Sequence, residues 1–262
     1  MIRGALVWAL SGFLVLPLFL LALLSLTNHW TWPALLPAEF HSRQWQDLIA
    51  DSNALGAAVL RSLGMGMGVA ASATALGFVS SRSVAYHPRQ GQLLALLHLP
   101  FAVSPVVVGV GLLYTLLRLH LAGHVAGVML AQLIFAYAYA VILLSGFWNP
   151  QVLALAELAA SLGAQRRQLW RQVLMPLARP LLVLCLFQTF LISWFDYALT
   201  LLIGNGQVAT LTVSLYQYFN SGDIRLAATC SLLLLVPPLI ALAVNHRLLS
   251  ATVATRLEAL GD

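Results

Sequence analysis

The chain reads as a series of long apolar runs parted by short polar stretches. A run of about 18 or more apolar residues crosses the hydrocarbon core as a helix, because a helix satisfies every backbone group within the segment. Such runs lie at roughly 5–27, 56–80, 93–117, 125–147, 181–203 and 227–245, which predicts an all-α integral membrane protein of about six transmembrane helices. The first run follows Arg3, as a signal peptide would. It is longer than a usual signal segment and no small-x-small cleavage site follows, so it is read as an uncleaved span. Asn28-His29-Trp30-Thr31-Trp32-Pro33 then looks like an aromatic interface belt, and a polar segment over 35–53 carries Glu39, Arg43, Asp47 and Asp51. The third run holds Pro100 and Pro105, and the sixth holds Pro237-Pro238. Prolines at membrane depth persist where neighbouring helices or a wet cavity satisfy the carbonyls they free. The third span is therefore a candidate pathway-lining helix, with Pro100, Ser104 and Pro105 as its candidate residues.

Composition agrees: 61% of the 262 residues are hydrophobic and 8% are charged, where a soluble domain needs about a quarter charged. All 13 basic residues are arginines scattered between apolar runs, the pattern of membrane-flanking charge and not of a nucleic-acid-binding face. With the N-terminus inside, Arg3, Arg82, Arg89, Arg166, Arg167, Arg171, Arg179, Arg247 and Arg256 lie inside, against Arg43, Arg61, Arg118 and Arg225 outside. The positive-inside rule then puts both termini in the cytoplasm. Cys185 and Cys230 lie within apolar runs and form no disulfide framework.

One connection departs from a simple loop. Between the fourth and fifth runs, Pro150 is placed to open a helix, since its missing N–H has no partner in a first turn. Leu153, Ala156, Ala160 and Gly163 recur at helical spacing beside Glu157, and Gly163 is placed to end the helix in the left-handed conformation. A second basic amphipathic stretch, with Leu169, Val173 and Leu174 on one side, runs on to Pro176. The pattern predicts a helix-turn-helix on the cytoplasmic side, with an apolar face that awaits a partner protein.

This segment resembles the EAA loop of type I ABC importer permeases, whose pattern is Glu-Ala-Ala, three residues, Gly, nine residues, Ile, one residue, Leu-Pro. Glu157, Ala159, Gly163, Val173 and Pro176 stand at the matching spacings, while Leu158 and Met175 depart from it. Leu99 to Pro105 followed by Gly109 looks like the third-helix signature of polyamine, ferric-iron, thiamine and sulfate-type permeases. Phe190 to Gly206, with Ser193, Asp196 and Gly204-Asn205-Gly206, looks like their fifth helix and the loop after it. The resemblance implies a MetI-like permease domain over 55–247, with the coupling loop at about 150–176. A first helix and periplasmic segment (1–54) precede it and a cytoplasmic tail (248–262) follows. It also implies a multi-pass protein of the bacterial inner membrane that translocates a small solute without catalytic residues, metal or cofactor of its own. ATP would be bound by a partner ATPase dimer, docked through Glu157, Ala159, Ala160, Gly163, Val173 and Pro176. A second permease subunit, identical or paralogous, and a periplasmic substrate-binding protein would complete the assembly. The fifth-helix likeness leans toward the polyamine, thiamine and iron group.

Each feature has a plainer reading. The 150–176 segment would also suit a helix lying on the membrane surface, though glutamate, alanines and a glycine stop are poor anchors. Gly64-Met65-Gly66-Met67-Gly68 sits inside a span with no strand before it, so packing through Gly64 and Gly68 is the expectation, not a phosphate loop. His120 and His124 share a span boundary with no third metal ligand in view. No Walker A sequence, HExxH or nucleophile elbow occurs. An ion-gradient-driven secondary transporter is the alternative class, and a membrane scaffold the third. Asp196 is read as the only charge inside a span, the fifth, which costs at least about 2.5 kcal/mol if unpaired. It is then either beside the translocation path with Ser193 or a structural hydrogen-bond hub, with Ser193 and Thr200 three and four residues away.

Overall fold

The computed structural model describes residues 2–27, 45 and 54–240. The aromatic belt at 28–33, most of the polar segment at 35–53, the end of the sixth run and the 248–262 tail lie outside the described residues. The described residues contain no strand, as the apolar runs predict. They divide into two compact units, 61–209 and a second made of 1–60 with 210–262.

The larger unit carries most of the long helices. Helix α2 (Ala54–Ala85) enters it; α3 (Gln90–Ala102), α4 (Pro105–Arg118), α5 (Val125–Ser145) and α6 (Pro150–Ser161) follow. A 29-residue helix α7 (Arg166–Trp194) and a short α8 (Ala198–Gly204) complete it. Helix α5 is the centre: eleven of its residues are buried, and it packs against α3, α7 and α8. Small residues let it lie close to α2. A Cβ on Gly77 would meet the Ala140 Cβ at 2.6 Å, so helix backbones approach there as small residues permit in membranes. In the glycine run of α2 the tight positions are Gly66, against the Phe190 ring, and Gly68, against the Met129 methyl. Gly64 faces open space, which corrects the expectation of packing through it.

Among the described residues, three helices are long and apolar enough to cross a membrane: α2, α5 and α7. The third run is not one continuous helix. Helices α3 and α4 meet at a 94° bend and count together as one broken span. The prolines account for it. Pro105 offers no N–H to the preceding turn, and the residue before a proline is driven from the helical region. Val103 and Ser104 accordingly sit at ψ 141° and 136°, and Pro105 opens α4 as its first residue. The fifth run is broken too, between α7 and α8, and Asn205 (φ 46°) with Gly206 (φ 74°) then turns the chain left-handed after α8.

The smaller unit contains α1 (Ile2–Ser25), α9 (Leu211–Asn220) and α10 (Ile224–Ile240). Among the described residues, the Val15–Ser25 part of α1 and Ile224–Ile240 are shorter apolar helices, and three spans, or four with the bent pair, are found of the six expected. Thr210 caps α9 by accepting the Val213 N–H. Asp223 accepts the Leu226 N–H as α10 begins and pairs with Arg225 at 3.8 Å.

Candidate functional site

Two polar constructions in the larger unit carry the candidate residues. The first is the 148–176 loop. Asn149 Oδ1 accepts the Val152 N–H at 3.0 Å and Pro150 holds the first helical position, so cap and proline together start α6. Its end is a Schellman turn: Gly163 N–H donates to Ala160 O and Ala164 N–H to Ala159 O, both at 3.0 Å. Gly163 stands at φ 85°, the left-handed conformation that its position in the sequence predicts. Ala159 and Ala160 thus lend the carbonyls that close the turn. Only Val152 of α6 is buried. Glu157 is exposed, and Leu155, Leu158 and Leu162 form an apolar stripe on the surface, Leu162 at 81% exposure.

The second arm differs from expectation. Gln168 Oε1 accepts the Gln165 N–H at 2.8 Å to begin the helix. It then runs without a break through Pro176 and Pro180 to Trp194, passing a π-helical turn at Leu169–Leu174. The arm is the foot of the fifth run and not a separate surface helix. Its apolar side is not free either: Leu174 is buried in a core cluster with Val69, Ala73, Phe78, Ala140, Leu144, Trp148 and Val152, and Leu169 packs on that cluster. Val173 is half-buried and Pro176 exposed. The π turn lies just ahead of the two prolines, where backbone N–H groups are missing and the regular ladder must adjust.

Aromatic rings fasten the loop. Phe78 of α2 stacks on Trp148 with centroids 5.5 Å apart and meets Trp170 edge-on at 5.8 Å. Trp148 Nε1–H donates to Ser81 Oγ at 2.9 Å. The Arg82 guanidinium lies 5.6 Å from the Trp148 ring centre. None of these residues was among the sequence-derived candidates. Their signal was two tryptophans bracketing the loop, at 148 and 170.

The second construction is the break between α7 and α8. Asp196 lies in this break and not within a continuous helix, which corrects its reading as a mid-span charge. Its carboxylate accepts the Leu199 N–H (3.2 Å), the Thr200 N–H (3.0 Å), the Thr200 hydroxyl (2.7 Å) and the Gln132 amide (2.9 Å). Two of those donors are backbone groups at the start of α8, which a carboxylate satisfies and the helix dipole favours. Gln132 of α5 is the hub: it also donates to Thr200 Oγ1 at 3.1 Å and accepts from Ser193 at 2.6 Å. Hydrogen bonds to a charge are worth about 1.5–3 kcal/mol each, so four of them outweigh the roughly 2.5–3.5 kcal/mol that an unpaired charge costs within a span on insertion scales. The structure thus joins Ser193 and Asp196 through Gln132, a residue the sequence reading missed because a lone glutamine in an apolar run has no pattern. Nor is Asp196 the only charge within an apolar run. Arg61, two turns into α2, donates to Ala209 O at 2.9 Å. Pro100, Ser104 and Pro105 sit at the α3–α4 bend, where Ser104 O accepts the Val107 and Val108 N–H groups. Gly109 carries α4 onto Leu199 and Leu202 of α8. Among the described residues no cluster of His, Cys, Asp and Glu is arranged to hold a metal, and His120 and His124 join none.

No family model matches the chain. Two curated relatives do: the molybdenum transport system permease protein ModB of Mycobacterium bovis and that of Mycobacterium tuberculosis. Each is 34% identical over 170 residues, covering 59% of this chain. The chain spans 64% of the length of those relatives. It is a multi-pass membrane protein, all-helical over its described residues and similar to these transport permeases, and its resemblance to the permease subunits of type I ABC importers is borne out.

Proposed function

We propose that this chain is the permease subunit of a bacterial ABC importer. In this reading it forms half of a pore with a second permease subunit and takes a small solute from a periplasmic binding protein. ATP hydrolysis belongs to a separate ATPase dimer docked on the 150–176 loop. The observation that carries the reading is α6: a capped helix ended by a Schellman turn, with Glu157 and three leucines turned outward, in a chain similar to transport permeases. An exposed apolar stripe on a helix suits a groove on a partner. Glu157, Ala159, Ala160, Gly163, Val173 and Pro176 are retained as the docking and turn-forming set, although Val173 and Pro176 act from the foot of α7. Pro100, Ser104 and Pro105 at the α3–α4 bend are the translocation-path candidates, and Ser193 and Asp196 are assigned to a structural hub. The relatives are named for molybdenum transport, outside the polyamine, thiamine and iron group toward which the fifth helix leans. Molybdate is therefore the first solute to test.

The arginine asymmetry supports a topology with the loop and both termini on the cytoplasmic side of the inner membrane. In intact cells, a cysteine introduced by Gln168→Cys is expected to resist membrane-impermeant thiol reagents and to react in inside-out vesicles. Labelling from outside would reverse the topology and remove the loop from any cytoplasmic ATPase. Uptake into vesicles is expected to require hydrolysable ATP on the cytoplasmic side. Uptake by this chain alone under a proton or sodium gradient would mean a secondary transporter instead.

A further inference from the structure

Helix α6 is nearly all surface, and its one buried side chain, Val152, fixes a point and not a direction. The direction is set at the two ends of the loop. At the entry, Phe147 meets Trp148 at 5.0 Å, Trp148 stacks on Phe78, and its indole N–H is held by Ser81. At the exit, Trp170 meets both Phe78 and Trp148, at 5.8 and 6.1 Å. Arg82 closes the group with its guanidinium 5.6 and 6.0 Å from the two indoles. Entry and exit therefore grip the same turn of α2. The π turn carrying Trp170 belongs to α7 and Val152 of α6 lies in the same cluster, so the group joins α2, the entry to α6, and α7. A hinge meant to swing freely would not be filled with four interlocking rings, each with few rotamers and a large contact area.

We propose that Trp148, braced by Phe78, Trp170 and Arg82, is the positioning residue through which a displacement of α6 is passed to α2 and α7 as one rigid lever. Without it, the turn at Gly146–Asn149 absorbs the displacement. The functional half of this claim rests on the permease reading; the mechanical half does not. It is tested on the full chain in lipid nanodiscs, with spin labels on cysteines introduced by Ser83→Cys and Leu162→Cys. Both positions are exposed, and the native Cys185 and Cys230 are buried. The distance distribution is expected to be narrow, to broaden at least about twofold in Trp148→Ala, and to recover most of its sharpness in Trp148→Phe, which keeps a ring. Arg82→Gln, at an exposed position, is expected to broaden it by a smaller amount. An unchanged width in Trp148→Ala overturns the proposal, as does an unchanged width in Arg82→Gln should Trp148→Ala fail to insert. In cells, uptake by Trp148→Ala is expected to fall at least about fivefold while the amount of inserted chain holds. Because the distance measurement needs neither ATPase nor solute, absence of ATP-dependent uptake by the unsubstituted protein would sink the permease reading alone.

Discussion

The loop at 148–176 and the break at 193–200 are both interruptions of long apolar helices, and they are built in opposite ways. At the break every polar atom of Gln132 has a partner, and the Asp196 carboxylate collects four donors. The loop instead puts its rings inward and leaves Glu157 with its flanking leucines uncovered. In hydrocarbon an unsatisfied polar group costs several kcal/mol, so an internal break must be closed by its own side chains. A break that faces water has no such requirement, and its outer surface is left for something else. On the proposed reading the saturated polar network serves structure, and the uncovered apolar stripe serves recognition.

The sharpest test removes the hub. Gln132→Leu leaves the Ser193 hydroxyl without its acceptor and takes one donor from Asp196, in a residue only 2% exposed. Losing these bonds is expected to cost about 3 kcal/mol or more and to lower the yield of inserted, monodisperse protein. Asp196→Asn keeps the shape and some of the hydrogen bonds, so it is expected to assemble better than Asp196→Ala. If Asp196→Asn assembles at full yield while uptake collapses, the carboxylate serves passage, and the two regions do not divide as drawn.

Next in size is Gly163→Val in the loop. A β-branched residue at φ 85° is strained by more than about 1 kcal/mol although nothing lies within 4 Å of the added Cβ. The strain is local, so insertion is expected to hold while capture of the ATPase and uptake fall together. Glu157→Ala is expected to weaken the same two readouts without strain. Normal uptake and normal capture in both would leave the loop without the proposed role.

How far each region was legible follows from the same physics. Helix α6 was readable because its signals are local: a proline start, alanines, and a glycine that ends it three residues beyond Ala160. Even so, the cap at Asn149 and the continuity of α7 through Pro176 and Pro180 were not, because Pro176 read as a boundary when the helix in fact runs past it after a π turn. Asp196 was visible as an anomaly in an apolar run, and Thr200 as its neighbour. Its partner on another helix was not, since Gln132 lies 64 residues away. The bends at 103–104 and 195–197 were missed for a related reason. Hydropathy measures length of apolar chain and not direction, so a 94° turn inside an apolar run leaves the plot unchanged. The clasp around Trp148 is a set of long-range ring contacts with no spacing to read.

The smallest effect on stability is expected where the two regions differ most, at the uncovered leucines. Leu158 and Leu162 are 58% and 81% exposed, and neither fills a cavity when shortened. A joint Leu158→Ser and Leu162→Ser change is therefore expected to stay within about 0.5 kcal/mol of the unsubstituted protein in thermal unfolding. If the stripe is a docking face, the same change removes apolar area that only a bound partner would bury, and capture of the ATPase from a co-expressing strain is expected to fall at least about tenfold. Serine at Leu162 also leaves the Schellman turn intact, because that turn depends on Gly163 and on backbone groups. A loss of capture is then attributable to the lost apolar contact and not to a misfolded loop. A marked fall in melting temperature would show instead that the leucines are packed in the assembled protein. Unchanged stability with unchanged capture would mean that the stripe touches lipid headgroups or nothing, and the contrast with the closed network around Gln132 would lose its functional meaning.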